Sequence, residues 1–224
     1  MATLALVSDI MWNCSRWRIV LPDYSSARET ARAFVAIAGI LAVTLSPGSA
    51  QDATHGIVTT IELKGCQPLI QAAGGKSWRC PGLPGYPVLI SETDDRTFLT
   101  VGPAPEKRRA STQTLRAPNT LFPAAKRATI EWRVPQVAQA TDKPAPAVPY
   151  ATIVRYFTAR NAARGQVLIV SKVTLTETCQ VALIDAEANA DALALARRIA
   201  DTNASSFDCS KPPTIAGSTG RSPM

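Results

Sequence analysis

The chain has 224 residues, of which 46% are hydrophobic, with 24 lysines and arginines against 17 carboxylates. That balance suits one folded domain with a sizeable core. The formal charge of +7 is spread thinly, which excludes the dense basic stripe of a nucleic-acid binder and predicts only weak attraction to anionic surfaces.

Residues 33–45 read AFVAIAGILAVTL, an uncharged apolar run entered from Arg28 and Arg32 and left through Ser46-Pro47-Gly48-Ser49-Ala50. This is the layout of a secretory signal peptide, and the run is shorter than the ~20 residues a permanent spanning helix needs. The small residues Gly48 and Ala50 predict a cut before Gln51, leaving no stable membrane span. A buried core helix would leave the basic entry and small-residue exit unexplained; an uncleaved membrane anchor is the other alternative. Residues 1–32, with Trp12, Cys14 and Trp17, exceed a charged leader's needs; they are expected to be unfolded, either a long leader or an over-extended start. Residues 1–50 carry four arginines and three carboxylates, so a mature domain over 51–209 with its tail keeps a net charge of +6. Export predicts a periplasmic or secreted protein.

Four cysteines then remain, Cys66, Cys80, Cys179 and Cys209, in a compartment where disulfides persist. Three pairings are open, and the local one, Cys66–Cys80 with Cys179–Cys209, brackets one unit with each bond. A zinc site is disfavoured, because there is no CxxC and the only histidine is His55, beside the new terminus.

Along the mature chain, apolar and polar residues alternate over short stretches, the mark of half-buried strands. The first covers Ile57 to Leu63. Tyr86–Ile90 and Thr97–Val101 predict a hairpin around Glu92-Thr93-Asp94-Asp95. Ala128, Ile130, Trp132 and Val134 face one way, with Thr129, Glu131 and Arg133 opposite. Further strands are expected over 151–157, 167–173 and 179–184, with Asn161–Gly165 as a turn. A basic connection over 103–127 contains Lys107, Arg108 and Arg109, and a proline-rich hairpin tip covers 135–149.

One helix is expected after Asn189 as N-cap, with Asp191 in its first turn and Ala192, Leu195, Ala196, Ile199 and Asn203 near one face. Residues 210–224, poor in apolar side chains, are expected to be a disordered tail. The fold class is therefore α+β: an antiparallel sheet of about six strands, one C-terminal helix and two disulfides.

Chemistry-bearing motifs are few. Gly74-Gly75-Lys76-Ser77 lacks the first glycine of a phosphate-binding loop, since position 70 is Ile70. Asp185, Glu187, Asn189 and Asp191 alternate like the start of a calcium loop, but Ala190 and Ala196 replace the glycine and the glutamate. No metal or cofactor is predicted. Histidine catalysis would rest on His55 alone, and thiol catalysis has no cysteine left over. Paired carboxylates among Glu92, Asp94, Asp95, Asp185 and Glu187 are conceivable, although a turn and a helix entry explain them more simply.

The segments GGKSWRCPGLPGYPVLISETDDRTF, GQVLIV and CQVALIDAEANADALALARRIAD resemble a group of small exported proteins of alphaproteobacteria with no assigned function. The resemblance spans most of residues 57–209 and implies export and a shared fold, with no catalytic residue to carry over. The function expected is a non-catalytic binding or interaction module of the bacterial envelope, with an unknown protein or an anionic envelope component as partner. Lys107, Arg108 and Arg109 are the candidate anion contacts; Trp78 is either a partner anchor or part of a mini-core beside Cys80. The alternatives are a periplasmic inhibitor of a hydrolase presenting loop 66–80, and a carboxylate-dependent hydrolase.

Overall fold

The alternating segments sort into two sheets where the sequence suggests one. A computed structural model describes residues 54–69, 75–123, 127–135 and 146–224; the expectations on residues 1–50, on the cut before Gln51 and on most of the proline-rich tip over 135–149 lie outside the described residues. The described strands are β1 (Thr54–Glu62), β2 (Gln67–Leu69), β3 (Lys76–Leu83), β4 (Tyr86–Thr93), β5 (Arg96–Val101), β6 (Asn119–Thr120), β7 (Arg127–Pro135), β8 (Ala151–Arg160), β9 (Ala163–Val173), β10 (Thr178–Asp185) and β11 (Thr214–Ile215). The helix α1 is Ala192–Asn203.

The larger sheet has seven strands in the order β1-β7-β8-β9-β10-β11, with β6 alongside β8. It is mixed, because β11 runs parallel to β10 while the other pairs are antiparallel. The smaller sheet has four strands in the order β2-β3-β4-β5. Period-two alternation places a residue on one face or the other but carries no information on which strands pair, so one sheet and two sheets read alike.

Successive residues of the large sheet feed two cores. Val154 and Ile169 join Ile130, Trp132 and the smaller sheet's Val88, Ile90 and Val101 in one core, while Ile153, Leu168 and Val170 join the helix's Ala192, Ala196 and Ala200 in the other. The result is three layers: helix, seven strands, four strands. The alanines recur every four residues along one helix face and keep the helix close to the sheet. Leu195 and Ile199 pack at the margins of that face. Asn203 is exposed.

Trp132 is the fully buried centre of the inter-sheet core, edge-on to Tyr86 at 6.5 Å between ring centroids, and its Nε1–H donates to Thr59 Oγ1 at 2.8 Å. Above it the chain must pass closely: a Cβ on Gly82 would lie 2.2 Å from the Tyr86 carbonyl oxygen and 3.0 Å from Trp132 Cζ2. The pairing of β3 with β4 shifts between Cys80 and Leu83 to admit this approach. Pro81 and Gly82 therefore belong to a strand, β3, where the sequence suggests a loop.

Both disulfides form with the expected partners, Cys66–Cys80 with Cα atoms 4.3 Å apart and Cys179–Cys209 with Cα atoms 5.7 Å apart. The first ties the start of the small sheet to its second strand. The second ties β10 to the chain beyond α1.

Two expectations are corrected here. The helix begins from Asp191, not Asn189, and Asp191 makes no side-chain capping bond. Residues 210–224, expected to be disordered, instead run back along β10, pairing Ala182 with Thr214 and Leu183 with Ile215, and bury Ser222. Among the described residues no helix is long and apolar enough to cross a membrane.

Candidate functional site

The large sheet has two ends, each with its own set of charged side chains. At one, the turn over residues 174–177 joins β9 to β10; at the other, the two-residue loop Asn161-Ala162 joins β8 to β9, with Arg160 paired to Ala163.

The predicted basic run lies at the turn end and is split by the fold. After β5 the chain passes through Ala104 in the left-handed region (φ +47°) and two short 3-10 turns, Pro105–Lys107 and Arg109–Thr112. Arg108, between them, is only 8% exposed. Its Nε donates to the Pro103 carbonyl at 2.9 Å and its Nη2 to the carbonyls of Pro103 and Leu175. The expectation of Arg108 as an anion contact is therefore corrected: it stitches two connections together. Lys107 and Arg109 are exposed, and Arg109 Nη2 reaches the Ser210 carbonyl at 3.5 Å. Neighbouring cations are paired, Arg79 with Glu106 at 3.5 Å and Lys172 with Glu177 at 3.4 Å. Trp78 is half-buried against the inter-sheet core, the mini-core alternative.

A second cluster was not singled out by sequence. Glu131 and Arg133, on the face of β7 expected to be polar, are buried near the helix. Glu131 accepts from Arg133 Nη1 at 3.0 Å and from Arg197 Nε and Nη2 at 2.8 and 2.9 Å. Arg133 donates to both oxygens of Asp201 at 2.9 and 2.8 Å, and the Tyr150 hydroxyl donates to Asp201 at 2.6 Å. Burial works against the charge on Arg133, but Asp201, Tyr150 and Glu131 outweigh it and hold its pKa above the ordinary value. The bonds that Arg197 donates to Glu131 likewise raise its pKa. Two guanidinium groups and two carboxylates thus neutralise one another and clamp α1 to β7. A Cβ on Gly56, opposite Arg133 in β1, would come within 2.8 Å of Glu131 Oε1, so the cluster needs a glycine there. The available signal was the opposite-charge pair Glu131/Arg133 on one strand face facing Arg197/Asp201 one helical turn apart.

Asp185 is wholly buried at the end of β10. Its Oδ1 accepts from the N–H groups of Glu187 and Ala188 at 3.1 and 3.2 Å and from Ser222 Oγ at 2.6 Å; its Oδ2 accepts from the N–H groups of Arg221 and Ser222 at 2.8 and 2.9 Å. Burial pushes the carboxyl up, yet the Ser222 hydroxyl and these N–H groups more than compensate and leave its pKa below the ordinary value. Asn189, displaced from its expected cap role, donates to the carbonyls of Asp185 and Ser218 and accepts from Ser218 N–H, pinning the tail. Both carboxylate oxygens of Asp185 are spent on donors, so the calcium-like spacing serves to hold the tail. No metal-binding group of three or more such side chains occurs among the described residues. Glu92 lies in β4 and Asp94 and Asp95 on the turn that follows, so the candidate carboxylates are divided between the two sheets.

The hairpin end gathers arginines that sequence distance hides. The Pro118 carbonyl, two residues beyond Arg116, accepts from Ala159 N–H at 3.0 Å, next to Arg160. Ser222, beside Arg221, exchanges bonds with the backbone of Gln166 at 3.1 and 3.0 Å, and its Cα lies 2.5 Å from where a Cβ on Gly165 would stand, next to Arg164. Arg116, Arg160, Arg164 and Arg221 are all exposed, and none forms an ion pair among the described residues. Arg164 Nη1 is steadied by the carbonyls of Asn161 and Ala163 at 3.2 and 3.4 Å.

Compared with protein-family models, characterised proteins and solved structures, the chain finds no match.

Proposed function

We propose that the protein is an exported, non-catalytic binding module of the bacterial envelope whose partner is an anionic envelope component, engaged through the hairpin end. The observation that carries this reading is the contrast in how charge is used. The ions of the Glu131–Arg133–Arg197–Asp201 clamp and the Asp185 latch are consumed internally, whereas four exposed arginines at one rim have no carboxylate partner among the described residues. Guanidinium groups left in this state are suited to planar, bidentate recognition of phosphate or carboxylate. Two disulfides fit an oxidising compartment, periplasmic or extracellular, and support the export reading.

The test is co-sedimentation of the purified chain with an isolated envelope fraction over a salt series. Association at low salt that is lost as salt screens the charges is the expected result. Absence of association at low salt, or association indifferent to salt, would overturn the anionic reading and favour a protein partner held by apolar contact.

A further inference from the structure

We infer that the ligand of the arginine rim is the phosphate surface of an anionic phospholipid bilayer, approached end-on by the β8–β9 hairpin; this rests on the anion-binding reading above. The four arginines lie on adjacent segments. β6 borders β8 through Asn119 and Thr158, β8 pairs with β9, and the tail takes the place beside β9 that β10 leaves after Asp185 pairs with Val167. With strands about 4.7–4.9 Å apart, Arg116, Arg160, Arg164 and Arg221 spread across roughly 15 Å of the sheet's end.

Their directions select the ligand. Arg160 is paired with Ala163 and Arg164 with Ala159, adjacent rungs of the ladder, so the two guanidinium-bearing positions face opposite sides of the sheet. Cations on both faces of a two-residue hairpin do not converge on one small anion. They can each meet a separate phosphate on a plane that the tip touches, and the long arginine stems allow that reach. None of the nearby carboxylates forms an ion pair with the rim among the described residues: Asp185 is buried and bonded to the tail, Glu187 accepts from Gln166 Nε2, and Asp94 and Asp95 sit on the adjoining turn before Arg96.

The experiment is sedimentation of the full chain with vesicles of phosphatidylcholine alone and of phosphatidylcholine mixed with phosphatidylglycerol. The neutral vesicles report any insertion of the apolar residues 33–45. Binding is expected to require phosphatidylglycerol and to fall with salt. Changing Arg116, Arg160, Arg164 and Arg221 together to Ser should reduce it by on the order of a hundredfold or more, given about fivefold per basic residue at an anionic surface. Lys107→Ser with Arg109→Ser, at the other end, should change it no more than a few-fold. An unchanged thermal midpoint establishes that the quadruple variant is folded; if it is not, Arg160→Ser alone with an expected fivefold loss takes its place.

Equal binding to both vesicle types, undiminished binding by the rim variant, or an equal loss from the turn-end variant would overturn the inference. If the chain leaves the envelope fraction with salt yet ignores mixed vesicles, the anionic reading stands and the bilayer is the wrong source, with an anionic polysaccharide in its place.

Discussion

The two ends of the large sheet both carry cations, yet they use them differently. At the turn end Arg108 is folded inward onto two carbonyls, Arg79 and Lys172 meet carboxylates, and the Cys179–Cys209 bond closes the region, while Lys107 and Arg109 stay exposed. At the hairpin end the anchoring is done by a carboxylate, Asp185, bonded to backbone N–H groups, and the surrounding arginines are exposed without a carboxylate partner among the described residues. Positive charge in a sequence does not report its own availability. Whether an arginine can act on a partner depends on whether the fold supplies carbonyls or carboxylates to absorb it.

The largest effect that would sharpen this comparison is at the turn end. Replacing Cys179 and Cys209 together by Ser removes a crosslink between residues 30 apart in sequence. The chain-entropy account gives a loss of about 3–4 kcal/mol, against about 3 kcal/mol for the shorter Cys66–Cys80 loop. Denaturant unfolding of the two double variants checks both magnitudes and their order. A loss confined to Cys66–Cys80 would mean that the turn end is held by other contacts.

At the hairpin end the corresponding change is Asp185→Asn. An amide keeps one acceptor but turns a donor toward the N–H groups of Arg221 and Ser222 or toward the Ser222 hydroxyl. Losing bonds to a charged acceptor should cost about 2–3 kcal/mol and free the tail for cleavage by a carboxypeptidase. The pH dependence has a definite sign. Because the folded pKa lies below the ordinary 3.8, the carboxylate's contribution is fully present above that value and is lost as pH falls through the lower, folded one. Thermal midpoints measured down the acid range should show this limb in the parent chain and a weaker one in Asp185→Asn. Equal acid limbs would remove Asp185 as the latch.

Much of the strand and helix pattern was legible because it depends on local alternation. The strand around Trp132, the hairpin after Tyr86 and the helix follow from spacing, and of three open disulfide pairings the favoured local one is the one that forms; the helix face was legible in Ala192 and Ala196 but not in Ala200, and Asn203 is exposed. Three features did not, each for a physical reason. Pairing is non-local, so alternation does not separate β4 and β5 from the large sheet, and β2 and β3 read as a loop. The tail has few apolar residues, and its order comes instead from hydrogen bonds to Asp185 and Asn189, which hydrophobicity does not register. The arginine rim joins positions 116, 160, 164 and 221, which only the fold brings together, whereas the run at 107–109 is contiguous in the sequence.

The smallest effects test that run directly. Arg108→Met keeps an apolar stem in the same space but leaves the Pro103 and Leu175 carbonyls without their donor, which should cost about 1–3 kcal/mol. Lys107→Ser, one residue earlier and exposed, should stay within about 0.5 kcal/mol of the parent. Adjacent cations in one run would then differ several-fold in their effect on stability, measured as the shift in denaturant midpoint at constant slope. That split follows from side-chain direction in the two 3-10 turns. Were both variants neutral, Arg108 would be free to swing outward, and the turn end would again compete with the hairpin rim as the anion-binding surface.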